Sequence, residues 1–180
     1  MDDNIVVDAC CLINLCAAGE LRERLSLIGV NWYVPTAVSA ESLFLHFEQA
    51  DGTINKSPLN LQHFIDDGVL KPCEAQPGEE LDLYVDLATR LDDGEAMALA
   101  IAKTRSWTLS TDDRKAKRVA HELSVTVLTT PDLMKRWADT AAPSAHELRG
   151  SLRRIEQRAS FFPSARDTLH SWWRNSLDDS

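Results

Sequence analysis

Four acidic side chains stand in motifs where carboxylates could support metal-assisted chemistry. Asp8 ends NIVVD, Glu41 ends VPTAVSAE, and Glu95 and Asp112 lie in LDDGEAMALA and LSTDDRKAKRVA. Burying unpaired carboxylates among apolar residues costs several kcal/mol or more, and a hard divalent cation would offset that cost. Oxygen ligands favour Mg2+ or Mn2+ over zinc. If the four acids converge, they predict a pocket that binds Mg2+ or Mn2+.

Each acid also has an ordinary structural interpretation. Asp8 and Asp112 are each suited to capping the helix that follows. Glu95 stands three residues after Asp92, which is the spacing of a capping box. Glu41 could instead be neutralised by a buried arginine. The residues alone leave these alternatives open.

The cysteines and histidines do not predict a zinc site. None of the five histidines pairs with another at i, i+4, and the four cysteines form no C-x-x-C motif. Cys10 and Cys11 are adjacent, and we expect their side chains to point in different directions. We expect all four cysteines to be reduced and mostly buried, which suits a cytoplasmic protein.

Predicted strands alternate with predicted helices along most of the chain. Contiguous β-branched and apolar residues predict strands over 4–8, 32–34, 69–73, 107–110 and 125–128. This alternation predicts an α/β fold with a mainly parallel sheet. Ligands of such sheets bind beyond the carboxyl ends of the strands, which is where Asp8 and Asp112 lie.

Glu41 is predicted to lie on a long helix. Pro35 is suited to the first helical position, and the pattern favours a helix over residues 35–49, with a polar loop over 51–57. On that helix, Glu41 would share one face with Val34, Val38 and Leu45. The predicted domain boundary falls near Pro143. Residues 1–142 then form the main domain and residues 143–180 a C-terminal helical extension. We expect Trp172 and Trp173 to dock this tail on the domain or on a partner. With Arg174, they could instead stack on unpaired bases.

Composition limits the remaining choices. The chain has 180 residues, a formal net charge of -9 and a pI near 5.0, which argue against a passive coat for nucleic acid. An enzyme that acts on nucleic acid remains compatible with this charge, because bound cations reverse the local field. No apolar run approaches the ~20 residues of a membrane span, and the acidic N-terminus does not resemble a secretory signal.

Four motifs together resemble those of the PIN-domain ribonucleases, including the toxins of toxin–antitoxin pairs. They are VVDACCLINL (6–15), VPTAVSAE (34–41), GEAMALAIA (94–102) and TDDRKAKRVA (111–120), and the similarity covers about residues 4–130. The resemblance implies a Rossmann-like, three-layer α/β/α fold. It also implies a Mg2+-dependent endoribonuclease that hydrolyses RNA phosphodiester bonds.

The resemblance also implies roles for individual residues. The catalytic acids would be Asp8, Glu41, Glu95 and Asp112, of which Asp8, Glu95 and Asp112 would bind the metal. Asp113 and Thr111 would be accessory. Many relatives have Thr or Ser just after the first aspartate, where this chain has Ala9 and Cys10, so Asn14 is a candidate substitute. The basic residues that follow Asp112 could bind RNA phosphates, or they could only form a solvated face of the helix. These residues are Arg114, Lys115, Lys117 and Arg118.

The expected partners follow from the same resemblance. They are an RNA substrate, an antitoxin protein and a second copy of the chain in a homodimer. The alternative function is a PIN-like module that binds RNA or protein without turnover. A phosphotransferase with Asp8 as its nucleophile is disfavoured, because Cys10 stands where that chemistry needs a second aspartate.

Overall fold

A computed structural model of the protein describes residues 4–28, 30–41, 43–49 and 51–178. The elements in chain order are β1 (Asn4–Val7), α1 (Ala9–Ala18), α2 (Leu21–Ile28), β2 (Asn31–Pro35), α3 (Thr36–Ala40), β3 (Phe44–Glu48), β4 (Ile54–Pro58), α4 (Gln62–Asp66), β5 (Lys71–Cys73), α5 (Glu79–Ala88), α6 (Asp93–Thr104), β6 (Thr108–Ser110), α7 (Arg114–Glu122), β7 (Val127–Leu128), α8 (Thr130–Ala141), α9 (Ala145–Ala159) and α10 (His170–Leu177).

The chain forms two compact units. The first contains the described residues of segments 1–12, 29–41 and 60–129, and the second contains those of segments 13–28, 42–59 and 130–180. The predicted boundary near residue 143 concerns a different division of the chain and stays a prediction.

The first unit is built on a five-stranded sheet. The strand order is β5-β2-β1-β6-β7, and every neighbouring pair is parallel. Ile5, Val6 and Val7 of the central strand are almost fully buried, as expected for a strand covered on both faces. The chain runs from β1 to β2 on one side and returns to β6 on the other. The carboxyl ends of β1 and β6 therefore flank a topological switch point, where α/β sheets place ligands.

Helix α6 packs closely against this sheet because its side chains are small. Ala96, Ala98, Ala100 and Ala102 are buried in one core with Val6 and apolar residues of β6 and α7. This contact brings the first turn of α6 towards the sheet edge where β1 and β6 end. The α/β class and the mainly parallel sheet predicted from the sequence are confirmed.

The predicted helix over residues 35–49 is wrong. Helix α3 has five residues, and Glu41 follows it in an extended conformation, with φ -70° and ψ 147°. Strands β3 and β4 then form an antiparallel hairpin in register from Phe44↔Pro58 to Glu48↔Ile54. The predicted face shared by Val34, Val38, Glu41 and Leu45 does not exist, because Leu45 lies in β3.

The tip of the hairpin contains Asp51, Gly52 and Thr53. The predicted loop over residues 51–57 is correct only at this tip and wrong beyond it, because β4 begins at Ile54. The Asp51 carboxylate accepts hydrogen bonds from the backbone amide and the hydroxyl of Thr53, at 2.9 and 2.6 Å. Gly52 adopts a φ of +81°, which favours glycine. Backbone bonds between Gln49 and Thr53 (2.8 Å) and between Gly52 and Gln49 (2.9 Å) complete the turn.

The second unit contains the two helices predicted near the C-terminus, α9 and α10. Trp173 is fully buried, and its indole N–H donates to Glu156 at 3.2 Å. Trp173 therefore packs α10 against α9 within the predicted extension, and docking of the tail on the main domain or on a partner stays a prediction. No described helix combines the length and apolar character that crossing a membrane requires.

Candidate active site

Asp8 is buried directly beyond the end of β1. Its side chain is 3% exposed and accepts three hydrogen bonds. Oδ1 accepts from the Ala9 amide (2.6 Å), and Oδ2 accepts from the Thr111 hydroxyl (2.9 Å) and the Cys10 thiol (3.2 Å). Burial raises the pKa of Asp8, as does the nearby charge of Asp92, while the three hydrogen bonds lower it. All three donors are neutral, so none of them balances the charge of an ionised Asp8.

Thr111 connects the ends of the two central strands. Its hydroxyl donates to Asp8 and accepts from the Asp113 amide at 3.2 Å, and the residue is fully buried. The backbone amide of Asp8 also donates to the Ser110 carbonyl of β6 at 3.0 Å. Thr111 therefore positions the Asp8 carboxylate at the sheet edge.

The neighbouring aspartates after β6 have different contacts. Asp113 caps α7, and its carboxylate accepts from the amides of Lys115 (2.6 Å) and Ala116 (2.8 Å). The half-buried Asp112 accepts from the Cys11 thiol at 3.1 Å, and its amide donates to the sulfur of Cys10 at 3.2 Å. The capping interpretation of Asp112 is therefore wrong, since Asp113 is the cap.

Glu95 lies in the first turn of α6, as expected. Asp92 is the N-cap of this helix, and its Oδ1 accepts from the Glu95 amide at 2.9 Å. Burial and, to a smaller extent, the charges of Asp92, Asp113 and Asp8 together raise the pKa of Glu95 to about 7. The Glu95 carboxylate also accepts a hydrogen bond from the Asp92 amide, which is the reciprocal half of a capping box. This bond lowers the pKa of Glu95 by less than burial and the neighbouring charges raise it.

Glu41 reaches the same region from the end of α3. A Cβ atom built on Gly94 of α6 would lie 2.5 Å from Glu41 Oε1, so the absence of a side chain at position 94 leaves room for this carboxylate. Partial burial raises the pKa of Glu41, as do the charges of Asp92, Asp8 and Asp93. Glu41, Asp92 and Asp93 line an open cleft of about 500 Å³.

The structure thus brings the candidate acids together within the first unit. Asp8, Glu41 and Glu95 interact electrostatically with one another or with Asp92. Asp112 is connected to Asp8 through Cys10, which donates to the Asp8 carboxylate and accepts from the Asp112 amide. Among the described residues, no lysine or arginine forms an ion pair with Asp8, Glu41 or Glu95. The alternative interpretation, in which a buried arginine neutralises Glu41, is therefore wrong. A set of carboxylate oxygens at a switch point fits a hard divalent cation.

Comparison with known families agrees with this geometry. The family model DUF3368, described as a PIN domain, matches residues 4–166. The chain belongs to the PIN-domain family. No curated protein and no solved structure gives a significant match. PIN domains are generally nucleases that use divalent metals, which supports a hydrolase at a coarse level.

Three residues of this PIN-domain site were not among the sequence-predicted acids. Asp92 contributes to the raised pKa of Asp8, Glu41 and Glu95, although it looked like a simple helix cap. Cys10 and Cys11 both reach Asp112, so the expectation that they point in different directions is wrong. Burial strongly raises the pKa of Cys11, which keeps it a thiol. Cys10 stands two residues after Asp8, and its thiol donates to the Asp8 carboxylate at 3.2 Å.

The remaining candidates are Asn14, which was predicted to be accessory, and the basic residues that were predicted to bind RNA. Asn14 is buried, and its side-chain amide donates to the Thr130 hydroxyl at 3.1 Å. The basic residues lie on α7, directly after the Asp113 cap, and are exposed or partly exposed: Arg114, Lys115, Lys117 and Arg118. Arg118 also lies 3.9 Å from Glu122. Their roles in binding RNA stay predictions.

Proposed function

We propose that the protein is an endoribonuclease that hydrolyses RNA phosphodiester bonds with Mg2+ or Mn2+. The observation that carries the proposal is the pKa of about 7 at Glu95, in a group of acids where no described lysine or arginine pairs with Asp8, Glu41 or Glu95. A structure gains nothing in stability from such repulsion, and strongly shifted pKa values cluster at functional sites. A divalent cation would remove the repulsion on binding.

The roles of the chain's own residues follow from their contacts. Asp8, Glu95 and Asp112 would hold the cation, and Glu41 would complete the pocket from the end of α3. Thr111 and Cys10 fix the orientation of Asp8, while Asp113 caps α7 and leaves Asp112 to face the thiols. When bound, the cation supplies an activated water and stabilises charge on the scissile phosphate.

Substrate binding would use the positive charges at the start of α7. Arg114 and Lys115 are exposed in the turn that follows Asp113. The molecule carries a net charge of -9, so RNA would be attracted locally by these residues and by the bound cation. We expect affinity for RNA to fall steeply as salt concentration rises.

A toxin role is the physiological extension of this proposal. It is supported by the PIN-domain family and by the motif resemblance described above. The expected partner is an antitoxin that suppresses cleavage, and a homodimer is the expected assembly. Arrest of growth on expression of the intact chain, relieved in Asp8→Asn, would support a toxin, whereas unaffected growth would argue against it.

The test of the activity uses the full-length protein and a fluorescently labelled single-stranded RNA. We expect cleavage with Mg2+ or Mn2+, none with EDTA, and a loss of at least about 100-fold in Asp8→Asn and Asp112→Asn. Asp86→Asn, at an exposed aspartate of α5, is the matched control and should cleave normally. RNA binding without cleavage in any of these metals would instead identify a non-catalytic module.

A further inference from the structure

Two thiols and a carboxylate converge beside the acidic pocket. The sulfurs of Cys10 and Cys11 and a carboxylate oxygen of Asp112 all lie within 4.8 Å of one another. We call these three residues the thiol cluster. Cys11 donates to Asp112 at 3.1 Å, and Cys10 accepts from the Asp112 amide at 3.2 Å, so both helical residues face the loop after β6.

The spacing is close to that of a tetrahedral site for a thiophilic dication. Zinc binds cysteine sulfur at about 2.3 Å, which places two coordinated sulfurs about 3.8 Å apart. Ligand atoms that already lie within 4.8 Å need to approach by only about 1 Å. Rotation of the side chains can supply such a movement. Mg2+ does not use thiolates, so the two sulfurs would not bind the metal ion of the proposed hydrolysis.

We propose that the thiol cluster binds Zn2+ and that this binding inhibits the nuclease. Cys10 and Cys11, as thiolates, and the Asp112 carboxylate supply three ligands, and water or Asp8 supplies the fourth. Two thiol protons are released to solvent as the ion binds. The inhibitory part rests on the proposed function, whereas the binding itself does not.

Inhibition follows because the two sites share Asp112. This aspartate is a candidate ligand in the acidic pocket and a member of the thiol cluster. Cys10 also donates to Asp8 at 3.2 Å, and that hydrogen bond is lost when the thiol proton leaves. Zn2+ in the thiol cluster therefore removes the Asp112 carboxylate from the acidic pocket and releases the Asp8 carboxylate from its present orientation.

Binding is tested with Co2+ alone as a spectroscopic probe of the reduced, full-length protein. We expect one equivalent to produce a near-ultraviolet sulfur-to-cobalt charge-transfer band that Zn2+ abolishes. The band should be weakened in Cys10→Ser and lost in the Cys10→Ser/Cys11→Ala double variant. No band in the wild type, or an undiminished band in the double variant, would overturn the site.

The other two cysteines provide the matched control. Cys16 and Cys73 are not members of the thiol cluster, whose three ligand atoms all lie within 4.8 Å of one another. The Cys16→Ser/Cys73→Ser variant should therefore retain the full band. Circular dichroism reports whether each variant is folded, and Cys10→Ser, at a half-buried position, tests the site if the change at buried Cys11 prevents folding.

The inhibitory role is tested by adding Zn2+ to RNA cleavage in excess Mg2+. We expect Zn2+ to inhibit the wild type, and Cys10→Ser to need at least about tenfold more Zn2+ for half-inhibition. Equal sensitivity of the two proteins would refute inhibition through the thiol cluster. A cobalt band without cleavage in either Mg2+ or Mn2+ would refute the proposed nuclease and leave the Zn2+ site established.

Discussion

Replacing Glu95 with glutamine should stabilise the metal-free protein at high pH. The pKa of Glu95 rises from its ordinary value of 4.5 to about 7 because of burial and the charges of Asp92, Asp113 and Asp8. The folded protein therefore holds this proton more tightly than the unfolded chain does. The resulting destabilisation is absent below pH 4.5, grows between pH 4.5 and 7, and is complete above pH 7.

The size of the effect can be worked from the shift. A difference of 2.5 pKa units, from 4.5 to about 7, corresponds to a ceiling of about 3 kcal/mol. Glu95 is only partly buried, so solvent screening reduces the expected effect to about 1 kcal/mol. For a protein of this size, that is a rise of about 2–4 °C in melting temperature.

The assay is thermal unfolding in EDTA at pH 4.5 and pH 8. Glu95→Gln should match the wild type at pH 4.5 and melt about 2–4 °C higher at pH 8. Glu79→Gln, which removes an exposed acid from the first turn of α5, controls for the helix dipole. The reasoning is refuted if Glu95→Gln melts lower than the wild type at pH 8, since the carboxylate would then be stabilising the fold.

Three further predictions concern other contacts. Glu41→Gln should abolish cleavage without lowering the melting temperature in EDTA, because it removes a charge that repels Asp92 and Asp8; a large loss of melting temperature would indicate a structural ion pair. Gly94→Ala should reduce cleavage about 100-fold by displacing Glu41 Oε1, while Gly150→Ala in α9 should not change it in the same RNA assay. Glu80→Gln should cost about 2 kcal/mol in urea unfolding at pH 7, because glutamine keeps only one acceptor oxygen and no charge: Arg105 loses one of its bonds of 2.9 and 2.8 Å, and the other is weakened. Burial opposes ionisation of Glu80, but bonds from Arg105, Thr104 and Gln76 hold its pKa at about 2, so the difference from wild type should shrink as pH falls from 4.5 towards 2.

The central sheet could be predicted because its local and long-range signals agree. Ile5, Val6 and Val7 are contiguous, β-branched and buried, and the following helices carry regular apolar spacing. The position of Asp8 and Asp112 beyond adjacent strands then follows from the parallel arrangement alone. Asp113 as a cap was also foreseeable, since helix α7 starts at the next residue.

The hairpin was missed because its signals conflict. Val34, Val38, Glu41 and Leu45 happen to repeat with a helical period, and every residue of β4 is exposed, so β4 lacks the alternation of a half-buried strand. The Asp51-Gly52 dipeptide between β3 and β4 was the available hairpin signal. The proximity of Cys10 and Cys11 to Asp112 could not be predicted, because it depends on how the first turn of α1 faces a loop about 100 residues away.

The adjacent aspartates after β6 make the length of that loop critical. Asp113 accepts hydrogen bonds from the first amides of α7 while Asp112 contacts a thiol of α1, so inserting or deleting one residue here would move at least one carboxylate away from its present partner. The Asp51–Thr53 tip of the hairpin is exposed and has no such constraint. Affinity tags or fluorophores for single-molecule work should therefore be grafted at the hairpin tip, and sequence libraries should keep residues 110–114 at constant length.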